Sequence, residues 1–297
     1  MIQESNSPIL SEWTITGILG RGGFKVVYKI ENRGKVEALK VTALRDPSVS
    51  DPIEMEQLEI ELLARSDREY KLIQQFGGEC VVLPGSIPGH ETTWNDVPSY
   101  IYSEEFLPGQ TLDKFIRQFT TNGQVPLVDN VKALFRTGID VLERLWAKKI
   151  VHRDIKPQNI MVWTALQRPF VFFDLGIAFD LEGKSLTQIT LGPGTLRYRA
   201  PETLDPQYRA SIDVRSDLFS LAATVYEFAT GIHPIHHGSI NDGETVYRLL
   251  KLSAKPLASF RPDLPRAFCD LIDRCLRKKP ALRPIRFSEI RAALEAV

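Results

Sequence analysis

Apolar and polar positions alternate in three early runs, WTITGIL, KVVYKIE and VEALKVTAL, each bounded by turn residues. A period of two predicts β-strands. The period then changes: in IEMEQLEIELLARS, Met55, Leu58, Leu62 and Leu63 recur at helical spacing. CVVLPGSI and SYIYSEEF read as strands again. Beyond Pro108 the pattern is helical, in TLDKFIRQF, VDNVKALFRTGIDVLERLWAKK, DLFSLAATVYEFATG, RAFCDLIDRCLRK and FSEIRAALEAV. A strand-rich front joined to a helix-rich back predicts two lobes, with the short link LPGQ as the hinge.

Composition narrows the possible partners. Lys+Arg and Asp+Glu both number 37, so the net charge is zero and no global field draws the chain to nucleic acid or an anionic membrane. No window holds the roughly 18 uncharged apolar residues of a spanning helix. The start, MIQESNSPILSEW, lacks a basic region followed by an apolar core, which argues against a secretory signal. Cys80, Cys269 and Cys275 cannot all pair, and reduced thiols in a cytoplasmic protein are expected. Neither repeats nor low-complexity tracts stand out.

The stretch LGRGGFKVVYKI, residues 19–30, places three glycines within four positions before an alternating run. Such a tip can lay backbone N–H groups over a phosphate, yet a glycine cluster alone is a weak signal. Later, IVHRDIKPQNIMV concentrates His152, Arg153, Asp154, Lys156 and Asn159 between two apolar runs. VFFDLGIAF then delivers Asp174 to a strand end. Asn159 and Asp174, each presented by apolar segments, suit Mg²⁺, which takes few protein ligands and fills the rest of its shell with phosphate oxygens.

Together these stretches resemble the protein kinase family, over roughly residues 13 to 297. HRDIKPQN resembles the catalytic loop H-R-D-x-x-x-x-N, DLG the D-F-G metal motif, and RAPE the A-P-E motif; the glycine loop and Lys40 in VEALKV complete the set in order. The resemblance implies an α+β fold: a single kinase domain over 1–297, with an antiparallel-sheet N-lobe carrying one helix (13–107) and a larger helical C-lobe (108–297). It implies an enzyme that transfers the ATP γ-phosphate, with Mg²⁺, to Ser/Thr hydroxyls of protein substrates. Asp154 would accept the hydroxyl proton, and Asn159 and Asp174 would hold Mg²⁺. Lys40 would grip the α- and β-phosphates with a helix carboxylate as partner: Glu59 by the family's spacing to Leu62 and Leu63, Glu56 as runner-up. Lys156, two residues after Asp154, resembles the serine/threonine rather than the tyrosine branch and would neutralise charge on the transferred group. Gly20, Gly22 and Gly23 would cover the phosphates. Val27, Ala38 and Met161 would sandwich the adenine, and the backbone of Glu105 and Leu107 would bind its edge.

The resemblance also implies a Glu202–Arg283 salt bridge, an Asp217 that holds the catalytic-loop backbone, and a Thr195 that contacts Asp154. Residues 174–202 become a phosphorylation-controlled activation loop, with Thr187 and Thr190 as targets ahead of Ser185, phosphorylated in trans by transient self-association.

Two positions depart from the family pattern. Lys25 stands where the third glycine belongs, on the rising strand, where its side chain can point to solvent or along the phosphates; a working clamp of altered nucleotide affinity is expected. Glu104 occupies the gatekeeper position, usually apolar or small, and could compete for Lys40 or find another polar partner. The rival reading, a nucleotide-binding pseudokinase or scaffold, would usually lack an equivalent of Lys40, Asp154, Asn159 or Asp174, and all four are present. Small-molecule phosphotransferases of the same fold typically lack the segment that GTLRYRAPE supplies. His233, His236 and His237 match a variable loop rather than a metal site. The stretch PGHETTWNDVPS around Trp94 is expected to be a solvated insertion.

Overall fold

The structure is a computed structural model that describes residues 10–162, 168–175, 179–180, 196–204, 212–236 and 241–295. The chain divides between Pro108 and Gly109 into two compact units.

In the first unit the alternating runs form strands β1 (Thr14–Arg21), β2 (Lys25–Asn32) and β3 (Lys35–Ala43), followed by helix α1 (Pro52–Phe76) and strands β4 (His90–Trp94) and β5 (Val97–Glu105). They make one antiparallel sheet in the order β1-β2-β3-β5-β4. Arg33 and Gly34 (φ 50° and 83°) turn β2 into β3, and Asn95 and Asp96 (φ 49° and 64°) turn β4 into β5. Paired positive φ values are what a two-residue hairpin turn of right-handed twist needs.

The hairpin at Asn95–Asp96 corrects the expectation of a solvated insertion. Trp94 is buried in the sheet's core with Tyr28, Ile30, Leu39, Val41, Ile87 and Ile101, and its ring lies 5.3 Å from that of Tyr28. CVVLPGSI makes isolated bridges, one of them between Pro84 and Glu104, rather than a strand.

Helix α1 starts on Asp51, whose carboxylate accepts from the N–H groups of Ile53 and Glu54, with Pro52 in the first turn. It runs ten residues past Ser66, the end of the apolar period in the sequence. Its buried side carries Leu62, Ser66, Glu69, Ile73 and Phe76, at spacings of four and three. Glu69 is the charged member of that stripe.

The second unit is mainly helical: α2 (Leu112–Thr121), α3 (Val128–Trp146), α4 (Val214–Thr230), α5 (Asp242–Lys251), α6 (Arg266–Cys275) and α7 (Phe287–Glu295). Helix α4 is buried on nearly every side, so it is the unit's central pillar. Asp213 caps its start by accepting from Arg215 N–H, and Gly231, at φ 74°, ends it in the left-handed conformation that glycine adopts without strain. Gly138 of α3 lets that helix approach α4 closely: a Cβ there would collide with the methyl groups of Leu221. Helix α5, in DGETVYRLLK, is an element that the sequence pattern does not announce. Short strands β6 (Gln110–Thr111), β8 (Ile160–Val162) and β9 (Phe170–Phe172) form one antiparallel sheet, and β7 (Ile150–Val151) pairs with β10 (Phe179–Asp180).

Candidate active site

In the first unit, strand register decides which side chains meet. Val27 lies opposite Lys40, Lys25 opposite Thr42, Tyr102 opposite Lys40 and Glu104 opposite Ala38. Residues directly opposite, and residues two apart, share a face of a pleated sheet. Lys25, Val27, Ala38, Lys40, Tyr102 and Glu104 therefore lie on one face, and the apolar core around Trp94 lies on the other.

Glu69 of α1 meets that face. Its carboxylate takes Lys40 Nζ at 2.9 Å on one oxygen and Lys25 Nζ at 2.7 Å on the other. Lys40 reaches Glu104 as well, at 2.8 Å. This overturns the expectation for Glu59, which pairs with Arg45 at 3.0 Å near the surface; Glu56, the runner-up, is exposed. Glu59 and Glu69 are ten residues apart, about 15 Å along a helix axis, so a side chain of Lys40's length meets only one of them. The signal that could have found Glu69 is the continuation of the apolar stripe through Ile73 and Phe76.

Glu104 does compete for Lys40, as one of the two expectations held. Burial pushes its carboxyl above the usual range, with the Lys40 ammonium opposing that shift. Lys25 turns to Glu69 rather than to bulk water. At the tip, Gly22 N–H donates to Lys25 C=O at 2.7 Å and Ala43 N–H to Phe24 C=O at 2.8 Å, which ties the turn to β3. A Cβ at Gly20 or Gly23 would meet nothing within 4 Å among the described residues. Val27 is half-buried and Ala38 buried on the shared face, and Glu105 and Leu107 follow at the end of the unit.

In the second unit, the loop between β7 and β8 carries the charged cluster. Lys156 Nζ donates to both carboxylate oxygens of Asp154, at 3.0 and 2.8 Å. Asn159 Nδ2 donates to Asp154 C=O at 3.0 Å and to Asp154 Oδ2 at 2.8 Å. With its amide nitrogen turned to Asp154, Asn159 has its side-chain carbonyl oxygen as the atom that could face a metal. Asp174 supplies a carboxylate just after β9, at φ 63°. Phe173 N–H donates to Asn159 C=O at 3.1 Å, so the two segments are joined. Two hard oxygen donors from this pair fit Mg²⁺, which needs no fuller protein cage. Met161 is half-buried on β8.

The loop is fixed from below. Asp217, in the first turn of α4, accepts from His152 N–H at 2.7 Å and Arg153 N–H at 2.8 Å. Burial raises its carboxyl, while His152 and the two N–H donors pull the other way. Arg153 has φ 67°, a conformation that this double bond holds in place. Arg283 and Glu202 form a bidentate pair at 2.6 and 2.9 Å, and Ser216 Oγ donates to Glu202 at 2.7 Å.

Sequence reasoning overlooked Arg199. Its side chain is buried near Arg153 and Asp154, and burial, reinforced by Arg153, lowers its guanidinium to about 10. A charged residue two positions before Pro201 carries no period that marks it as buried.

His233 and His236 are buried, and His233 Nδ1 accepts from the N–H groups of Ile235 and His236, which makes them part of a packed turn. No cluster of three potential metal ligands exists among the described residues. Thr187, Thr190, Ser185, Thr195 and His237 lie outside the described residues.

The family description "Protein kinase domain" matches residues 13–293. The chain belongs to the protein kinase family. Among the relatives of this kinase domain, the serine/threonine-protein kinase PknH of Mycobacterium tuberculosis is 27% identical over 266 residues, covering 89% of this chain and 38% of PknH. Serine/threonine-protein kinase 10-A of Xenopus laevis is 28% identical over 276 residues, covering 92% of this chain and 26% of that protein. The kinase domain thus spans well under half the length of either. Its fold is that of the PknI kinase domain of Mycobacterium tuberculosis, solved as a point mutant: TM-score 0.64, 20% identity, 96% of this chain and 95% of that one covered. Among the described residues no helix is long and apolar enough to cross a membrane.

Proposed function

We propose that this chain is an ATP-dependent serine/threonine protein kinase acting in the cytoplasm, with 13–107 as the nucleotide-covering lobe and 108–297 as the catalytic and substrate lobe of one domain. The observation that carries the reading is the bonding around Asp154. Its carboxylate is oriented by Asn159 and neutralised by Lys156, as a base that must receive a hydroxyl proton and then sit beside a phosphoryl group requires.

The residues then divide the work. Asp154 orients the Ser/Thr hydroxyl and takes its proton as the Oγ–P bond forms and the bond from the γ-phosphorus to the bridging oxygen breaks, with ADP as the leaving group. Lys156 offsets negative charge on the transferred group. Lys40, positioned by Glu69, holds the α- and β-phosphates. Gly20, Gly22 and Gly23 bring backbone N–H groups over them, while Val27, Ala38, Met161 and the Glu105–Leu107 backbone seat the adenine. Asn159 and Asp174 would hold Mg²⁺, which when bound screens the charge of the phosphate oxygens. Protein substrates, themselves unidentified, include residues 174–202 of a second copy, with Thr187 and Thr190 as acceptors during transient self-association. A phosphate there would offer negative charge and acceptor oxygens to basic groups such as Arg153.

The reading is tested by radiolabelled ATP with Mg²⁺, offering the protein itself, a generic protein substrate, and small alcohols. Label on Ser and Thr of protein is the expected result. Nucleotide binding without transfer would make the chain a pseudokinase, and label on the alcohols a small-molecule phosphotransferase. Mass spectrometry of the parent and Asp154→Asn locates the self-modified residues; a fully active parent unmodified at Thr187 and Thr190 removes the activation-loop assignment.

A further inference from the structure

We propose that Lys25 is a second phosphate-binding lysine, which holds the nucleotide's phosphate chain together with Lys40 from the same face of the sheet. The inference rests on the nucleotide-binding reading above and adds to it a residue at a position where the family pattern has glycine.

Three observations carry it. The first is parity. Lys25 is two residues from Val27, and Val27 lies directly opposite Lys40. The pleat therefore sends Lys25 to the face that Lys40 occupies, not to the side of the apolar core. The second is the shared carboxylate. Lys25 Nζ and Lys40 Nζ sit on the two oxygens of Glu69, at 2.7 and 2.9 Å, so the two ammonium groups are neighbours around one anchor. Glu69 therefore anchors both lysines. The third is accessibility. The Lys40 side chain is 4% exposed and is held by Glu104 as well as Glu69, whereas that of Lys25 is 24% exposed. Lys25 is thus the more accessible cation, directly after the glycine tip whose turn it closes through its own carbonyl.

Lysine suits this role, because its four-carbon stem lets the ammonium move between a carboxylate and a nearby phosphate without a change of backbone. The alternative is that Lys25 merely tethers the loop to α1. That role would affect loop stability but would not distinguish ligands by their phosphates.

Calorimetry separates the two roles. Affinities are measured for adenosine, AMP, ADP and a non-hydrolysable ATP analogue with Mg²⁺, on the parent, Lys25→Met, Lys40→Met and the double variant. Loss of one charge-assisted contact is expected to weaken the ATP analogue by about tenfold or more in Lys25→Met, with adenosine within about twofold. The loss should grow with phosphate number, and the double variant should lose phosphate-dependent affinity that Lys40→Met retains. Lys25→Gln, which keeps a polar stem, should repeat the loss, and Lys25→Arg should recover most of it. An ATP-analogue affinity within about twofold of the parent in Lys25→Met or Lys25→Gln overturns the proposal, as does an equal loss for adenosine and the analogue in both. A parent that binds no ATP analogue at all brings down the nucleotide reading itself, a result that shows before any variant is made.

Discussion

Lys40 meets Glu104 at 2.8 Å in surroundings where both side chains are almost wholly removed from water. The contact gives the gatekeeper carboxylate a partner, while burial shifts the pH at which Glu104 gains its proton. Its folded pKa is raised, mainly by burial, above the ordinary 4.5. Between 4.5 and that raised value the folded chain holds a proton that the unfolded chain has lost, so stability falls as pH rises through the window. Glu104→Gln removes this contribution. Urea unfolding of parent and variant from about pH 4 upward should show the parent losing stability relative to the variant as pH increases, then a constant difference. A difference independent of pH would refute the assignment.

The two candidate carboxylates of α1 should behave differently. Glu69→Gln takes charge from the anchor of Lys40, and phosphoryl transfer should fall about ten- to a hundredfold, the size of one charged hydrogen bond of about 1.5–3 kcal/mol. Glu59→Gln breaks only the exposed contact with Arg45, where pairs are worth at most about 1 kcal/mol, and should leave turnover within about twofold. Steady-state rates on both variants check the pair; equal effects would return Glu59 to consideration.

Asp154→Asn keeps the shape of the loop between β7 and β8 and removes the proposed base. Turnover should drop by about 10²–10⁴ while nucleotide affinity stays close to the parent's. Single-turnover phosphorylation and calorimetric titration with ATP read the two quantities separately. Retained turnover would take Asp154 out of the reaction.

The Arg283–Glu202 pair is a matter of stability. Arg283 has no exposed side-chain surface, and besides Glu202 its guanidinium donates to the carbonyls of Arg215, Arg277 and Lys278. Arg283→Met leaves Glu202 charged and buried with Ser216 as its remaining partner, so unfolding free energy should drop by about 3–5 kcal/mol. Adding Glu202→Gln should recover part of the loss. Chemical denaturation of the single and double variants measures both.

Much of this is legible in the chain. The period of two in KVVYKIE and VEALKVTAL places β2 and β3, and with them the face that carries Val27 and Lys40. Asp154, Lys156 and Asn159 stand close enough in sequence that a single loop brings them together. What escapes is set by distant packing. The helix pattern fades after Ser66 because SDREYKLIQQF mixes charges into its apolar stripe, which hides the last ten residues of α1 and Glu69 with them. HETTW reads as loop because its polar positions alternate with few apolar ones, yet Trp94 closes the core against Tyr28. Arg199 is buried by neighbours that are far away in the chain, and local periodicity cannot reveal that.

The double bond from Asp217 has a consequence for hydrogen exchange. The N–H groups of His152 and Arg153 lie in a loop, where amides ordinarily exchange with solvent deuterium through small local openings. Here their acceptor belongs to α4, the pillar of the helical unit, so releasing them requires that helix to separate from the loop. These two loop amides should therefore exchange as slowly as the core of the domain, through its cooperative unfolding rather than through fraying.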